Sequence, residues 1–185
     1  MMNVKEISNR ILNDLKEIVN QMDEAQLEAL MKDIRWADKI FVAAAGRSFL
    51  MMKAFAMRLM HMGKAVYVVG ETVTPAAESG DLLILGTGSG ETATLKAVAG
   101  KAEKAGVRIL TITTNDQSTL AKQADDLVCL PASVNHLNPN GASWQPGGNS
   151  FEQSLLLLAD AVVLDVAQKT GTDLSGKLTL HANLE

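Results

Sequence analysis

The run "KIFVAAA", residues 39–45, sets six apolar side chains in succession with no polar residue between them. A strand with one wet face alternates apolar and polar residues, so an unbroken run of this length must be covered on both faces, as in a parallel sheet between two layers of helix. "DLLILG" (81–86) repeats the pattern, and "KAVYVVG" (64–70), "VRILTIT" (107–113) and "DLVCLP" (126–131) read as further strands. Helical patterns follow the first and third of these strands in chain order. After "GRS" the chain returns to helix as far as Gly63, a C-cap, and residues 92–105 set Leu95, Val98, Ala99 and Ala102 on one side. This alternation predicts an α/β fold, a three-layer αβα sandwich around a five-stranded parallel sheet of doubly wound order 2-1-3-4-5.

Two helices precede the first strand. Val4, Ile7, Ile11, Leu15, Ile18 and Met22 recur every three or four residues; Asp23 then caps a second helix, with Gln26 three residues on and Leu27, Leu30, Met31 and Ile34 as its apolar face. Beyond the last strand, Pro131 opens a connection of 19 residues rich in Asn, Gly and Pro, long enough to suggest function or mobility. Ser150 and Gln153 read as the capping box of a long helix containing "LLLLADAVVLDVA". We expect one domain over residues 1–185: N-terminal helices (1–36), an α/β core (39–169) and a C-terminal tail (170–185). At 47% hydrophobic and 21% charged, 185 residues suffice for one sizeable core.

The composition excludes some classes of partner. A net charge of −4, with 17 Lys and Arg scattered along the chain, does not suit a phosphate backbone, so no nucleic acid is expected. The single cysteine, Cys129, has no internal disulfide partner and reads as a small core residue. "MMNVKEISNR" lacks the layout of a signal peptide, and no run is long enough to span a bilayer, so no membrane association is expected and a cytoplasmic protein is.

"GTGSGET" (86–92) joins an apolar strand to a helix. Its glycines, Gly86, Gly88 and Gly90, do not fit the G-x-G-x-x-G dinucleotide spacing, whose third position is held by Glu91, and no Lys-Ser or Lys-Thr follows as a P-loop requires. What remains is a turn whose N–H groups, with the hydroxyls of Thr87, Ser89 and Thr92, suit one anionic group such as a phosphomonoester. The plainer alternative is a tight turn with Ser89 as an ordinary N-cap. A second turn, "GRS", brings Gly46, Arg47 and Ser48 to the end of the first strand. In a sheet of order 2-1-3-4-5, the loops after strands 1 and 3 flank the topological switch point where ligands bind. Two such turns at one crevice favour a phosphorylated small ligand. No cluster of His, Cys and carboxylates has metal-ligand spacing.

"GRSF", "MRLMHMG", "GETVTP", "LGTGSGET", "QPGGNSFEQ" and the terminal "HANLE" occur in order along nearly the whole chain, and together they resemble the 6-phospho-3-hexuloisomerases of the sugar isomerase (SIS) domain superfamily. The resemblance implies interconversion of 3-hexulose 6-phosphate (D-arabino-hex-3-ulose 6-phosphate) and fructose 6-phosphate in the ribulose monophosphate route of formaldehyde fixation. It also implies a homo-oligomer, typically a tetramer, and a functional link to a hexulose-6-phosphate synthase. The chain departs from the usual pattern at Phe49 (often glycine), Thr87 (often serine) and Gly147 (usually methionine). These changes bear on affinity and specificity more than on reaction type.

Moving a carbonyl from C3 to C2 through an enediolate requires a base and support for the oxyanion, but no redox cofactor. Glu152 matches the family's catalytic glutamate, with Glu71 and Glu91 as rival carboxylates. The resemblance further suggests His61 as a residue donated to a neighbouring subunit's site, because it lies about 13 residues, or roughly 20 Å, along a helix from Ser48. The bland alternative is a histidine favoured by a helix C-terminus. His181 is a lesser candidate and His136 a loop residue. The expected ligand set is Gly46, Arg47, Ser48, Thr87, Gly88, Ser89, Gly90, Glu91 and Thr92. The methionine-rich helix after "GRSF", with Met51, Met52, Met57, Met60 and Met62, suits a core or subunit contact. A non-catalytic sugar-phosphate sensor, or another phosphosugar isomerase of the superfamily, are the alternatives.

Overall fold

The computed structural model describes residues 2–133, 145, 147–173 and 180–181. Five parallel strands, β1 (Ile40–Ala44), β2 (Val66–Val68), β3 (Leu82–Gly86), β4 (Arg108–Thr113) and β5 (Asp126–Cys129), form one sheet in the order β2-β1-β3-β4-β5. The predicted architecture and strand order are those observed. Because side chains alternate along a strand, each buried run divides between two cores. Ile40, Val42, Leu82 and Ile84 pack on one side with helices α2 (Glu24–Trp36), α3 (Gly46–His61) and α6 (Asn149–Thr170). Phe41, Ala43, Leu83 and Leu85 pack on the other with α4 (Ala93–Lys104) and the short α5 (Thr119–Gln123). Helix α1 (Val4–Asn20) lies over α6 and buries only Leu15 and Ile18.

Local chemistry explains most of the boundaries. Asp23 accepts hydrogen bonds from the N–H groups of Ala25 and Gln26, starting α2 as expected; the Gln26 side chain does not close a capping box but accepts from the N–H of Cys129 at 2.7 Å, covering a donor on edge strand β5. Gly63, at φ +87°, ends α3 as expected. The expectation for Ser150 fails. Helix α6 begins at Asn149 after Gly148, with no side-chain cap, and the Ser150 hydroxyl instead bonds the N–H and carbonyl of Ser133, both at 3.2 Å. Gln153 accepts from the Gln145 amide at 2.9 Å. Gly86 lets the helices close on the end of β3, since a Cβ there would sit 2.7 Å from Met52 Cγ.

The register between β1 and β3 pairs Ala44 with Gly86, so both strands end at the same height and the two turns expected to bind ligand leave the sheet side by side. Helices α3 and α6 start together and run in the same direction, with Arg47 bonded to Glu152 at their beginnings and Arg58 3.7 Å from Asp160 further along.

Candidate active site

The six helices among the described residues divide by how they begin. Asn3, Asp23 and Ser118 cap α1, α2 and α5 with side-chain hydrogen bonds, whereas α3, α4 and α6 have none. Uncapped helix N-termini present unsatisfied N–H groups and the positive end of the helix dipole to whatever lies beyond them. The turns preceding α3 and α4 hold the residues expected to bind an anion, and α6 carries Glu152 in its first turn.

The Gly86–Thr92 turn is braced from within. Thr87 is buried, and its Oγ1 accepts from the N–H of Gly90 at 3.2 Å and lies 3.3 Å from Thr92 Oγ1. The carbonyl of Gly88 accepts from both Thr113 Oγ1 and Thr114 Oγ1 at 3.0 Å. Gly90 has φ +68°, and a Cβ there would lie 1.9 Å from Ser118 Oγ, so no other residue fits. The Ser89 hydroxyl accepts from the N–H of Glu91 at 3.2 Å. Ser89 is thus not the N-cap of α4, which begins after Thr92.

Glu91 turns away from this cradle. Its carboxylate accepts from Thr119 N–H at 2.7 Å, from Thr119 Oγ1 at 2.8 Å and from Lys96 Nζ at 3.0 Å, so it serves as the anion at the start of α5. These donors, Thr119 N–H first, hold its carboxyl down at about 2. Glu71 pairs with Lys53 at 3.0 Å, and Lys53 in turn sits over the Phe49 ring, 4.8 Å from its centroid.

Of the three rival carboxylates, Glu152 alone is withdrawn from water, with its side chain 12% exposed against 48% for Glu71 and 47% for Glu91. Arg47 Nη1 donates to Glu152 Oε2 at 2.8 Å and to Asn149 Oδ1. The structure therefore brings Gly46, Arg47 and Ser48 to the catalytic candidate and sets the Thr87–Thr92 turn at the neighbouring strand end.

It does not bring His61 there within one chain. His61 closes the far end of α3, is 8% exposed, and stacks on His181 with ring centroids 5.3 Å apart. Burial first, then His181 and Arg58, push its imidazole below the ordinary value. The His61–His181 pairing had no sequence signal, because 120 residues separate two isolated histidines. His136 lies outside the described residues. Cys129 is half-buried in β5, and its thiol is pushed up by burial and by Asp116. Among the described residues, no group of three His, Cys, Asp or Glu is placed to hold a metal ion, and no helix is long and apolar enough to cross a membrane.

Residues 33–157 match the SIS domain. The chain belongs to the SIS-domain family, in the group that holds the 3-hexulose-6-phosphate isomerases. It is 42% identical to the 3-hexulose-6-phosphate isomerase of Bacillus subtilis over the full length of both chains, and 39% identical to that of Mycobacterium gastri over 98% of this chain and 95% of the other. A solved structure from Methanococcus jannaschii, described as inferring a 3-hexulose-6-phosphate isomerase function, superposes with a TM-score of 0.80 at 35% identity, covering 97% of each chain. The Vibrio vulnificus NanR protein complexed with ManNAc-6P shares the fold at 20% identity and a TM-score of 0.79, with 96% of this chain and 66% of that one covered.

Proposed function

We propose that this protein is an isomerase interconverting 3-hexulose 6-phosphate and fructose 6-phosphate. The observation that carries the reading is the shielded Glu152 carboxylate at the mouth between two glycine-hydroxyl turns, in a chain similar over its full length to enzymes of that name. Glu152 removes the proton from C2 of the 3-ketose, the electrons pass into a 2,3-enediolate, and a proton returns to C3 as the carbonyl forms at C2. The N–H groups at the starts of α3 and α4, with Ser48, Ser89 and Thr92, hold the phosphate; Thr87, Gly88 and Gly90 keep the turn in shape. The reaction is redox-neutral within the substrate, so it calls for no redox cofactor.

The finer reading places the enzyme in the ribulose monophosphate route of formaldehyde fixation, downstream of a hexulose-6-phosphate synthase, as a cytoplasmic homotetramer in which His61 serves a neighbour's crevice. Exposed Leu50 and Met57 on α3 and Leu157 and Leu164 on α6 support assembly through these helices.

A coupled assay tests the reaction: a hexulose-phosphate synthase supplies the 3-ketose and fructose 6-phosphate is detected. We expect turnover by the wild type and none by Glu152→Gln, with binding retained. A wild type that makes no fructose 6-phosphate refutes the assignment, and an active Glu152→Gln moves the base to Glu71 or Glu91.

A further inference from the structure

Sequence alone groups Arg47 with the phosphate ligands, yet its guanidinium is directed at α6. Nη1 serves two acceptors three residues apart on one helical turn, Asn149 Oδ1 and Glu152 Oε2. Glu152 lies inside and Arg47, 46% exposed, lies outside it, so the guanidinium screens the carboxylate from solvent. Gly46 makes the reach possible: at φ +60° it turns the chain sharply between β1 and the body of α3, and its conformation is the requirement, since a Cβ there would meet nothing within 4 Å. The other oxygen, Oε1, takes part in no hydrogen bond among the described residues and faces Gly148, whose added Cβ would come within 3.8 Å of it. Among the described residues one carboxylate oxygen is held and the other is not, beside a position without a side chain.

We propose that Arg47 is the positioning residue of the base, fixing Glu152 through Oε2 so that Oε1 takes the substrate's proton. The inference rests on the isomerase reading. Both bonds come from Nη1, which stands one bond further from the backbone than a lysine Nζ, so lysine keeps the charge without the reach, and a misplaced base loses rate without losing affinity, because uniform substrate binding resides elsewhere.

The test compares wild type, R47Q, R47K and R47A, and adds E152Q alone and with R47Q. Four readouts are taken: kcat and KM in the coupled assay, inorganic phosphate as a competitive inhibitor, rescue of R47A by added guanidinium, and calorimetric titration of the E152Q chains with inorganic phosphate. Thermal melts confirm that each variant is folded. We expect kcat to fall about 100-fold in R47Q and nearly as far in R47K, with KM and the phosphate inhibition constant within about threefold of wild type. Guanidinium should restore part of the R47A rate, and in the inactive E152Q background R47Q should leave inorganic phosphate binding, read by calorimetric titration, within about threefold. A tenfold or greater weakening of KM and of phosphate inhibition with kcat preserved would make Arg47 a phosphate ligand and overturn the proposal, as would wild-type kcat in R47K. An inactive wild type overturns the isomerase reading and this inference with it, and is recognised because it precedes any comparison of variants.

Discussion

Glu91 shows how far one side chain's destination can differ from what its position implies. It follows the glycine turn directly, yet its charge is committed to the start of α5 through Thr119 and to Lys96. Its folded-state carboxyl titrates at about 2, below the ordinary 4.5, so the unfolded chain binds the proton more readily. The stabilisation is therefore present above about pH 4.5 and is lost as pH falls toward about 2. Chemical denaturation of Glu91→Gln should show a shallower loss of stability than wild type between pH 5 and about pH 3, with wild type the more stable of the two at pH 7; parallel profiles would show that the carboxylate has no such role. The glycine turn itself was legible in sequence, because its spacing alone excludes a dinucleotide. The carboxylate's partner was not, because Thr119 is 28 residues away and hydroxyl residues are common.

At the scale of elements, the strands were legible because burial on both faces leaves an unbroken apolar signature, and α4 because twelve residues give three turns of periodicity. Helix α5, of five residues, is too short to display a period. The spacing of Ser150 and Gln153 imitates a capping box, but Ser133 claims the hydroxyl, and a local pattern cannot reveal a distant competitor. The bond between Arg47 and Glu152 spans 105 residues and depends on α3 and α6 lying side by side. Another long-range contact fixes α2 against the sheet: Arg108, at the start of β4, donates from Nε to Asp33 Oδ1 at 3.0 Å and also bonds Asp126 of β5. Asp33 is 7% exposed, and burial pushes its carboxyl up even with the guanidinium beside it. Arg108→Ala should cost about 3 kcal/mol by leaving a buried carboxylate without a counter-charge. Adding Asp33→Asn should recover much of that loss, as read from urea midpoints. The same effect of Asp33→Asn in wild type and in Arg108→Ala would show that the two residues are not coupled.

For the whole molecule, the apolar residues left outside are as informative as the core. Leu12 and Val19 of α1, Leu50 and Met57 of α3, and Leu157 and Leu164 of α6 are exposed, and a cleft of about 450 Å³ lined by Val19, Met22, Leu27 and Leu157 runs between the first two helices and α6. If these faces join copies of the chain, Leu157→Glu with Leu164→Glu should lower the molar mass in sedimentation while circular dichroism is retained. Inactive Glu152→Gln and His61→Ala chains should regain partial activity only when mixed and reassembled. Unchanged mass would place the contact elsewhere, and failure of complementation would confine His61 to its own chain.

The bracing of the Gly86–Thr92 turn has a thermodynamic consequence. With Gly88 bonded to two threonine hydroxyls and Gly90 seated against Ser118, the backbone proposed to meet the phosphate is held in shape by the protein itself. Little conformational entropy is left to surrender on binding, so the favourable heat of the new hydrogen bonds is not spent on ordering the loop. If the turn holds the phosphate as proposed, calorimetry should show a rigid receptor, with the ordering on binding falling on the sugar's open chain.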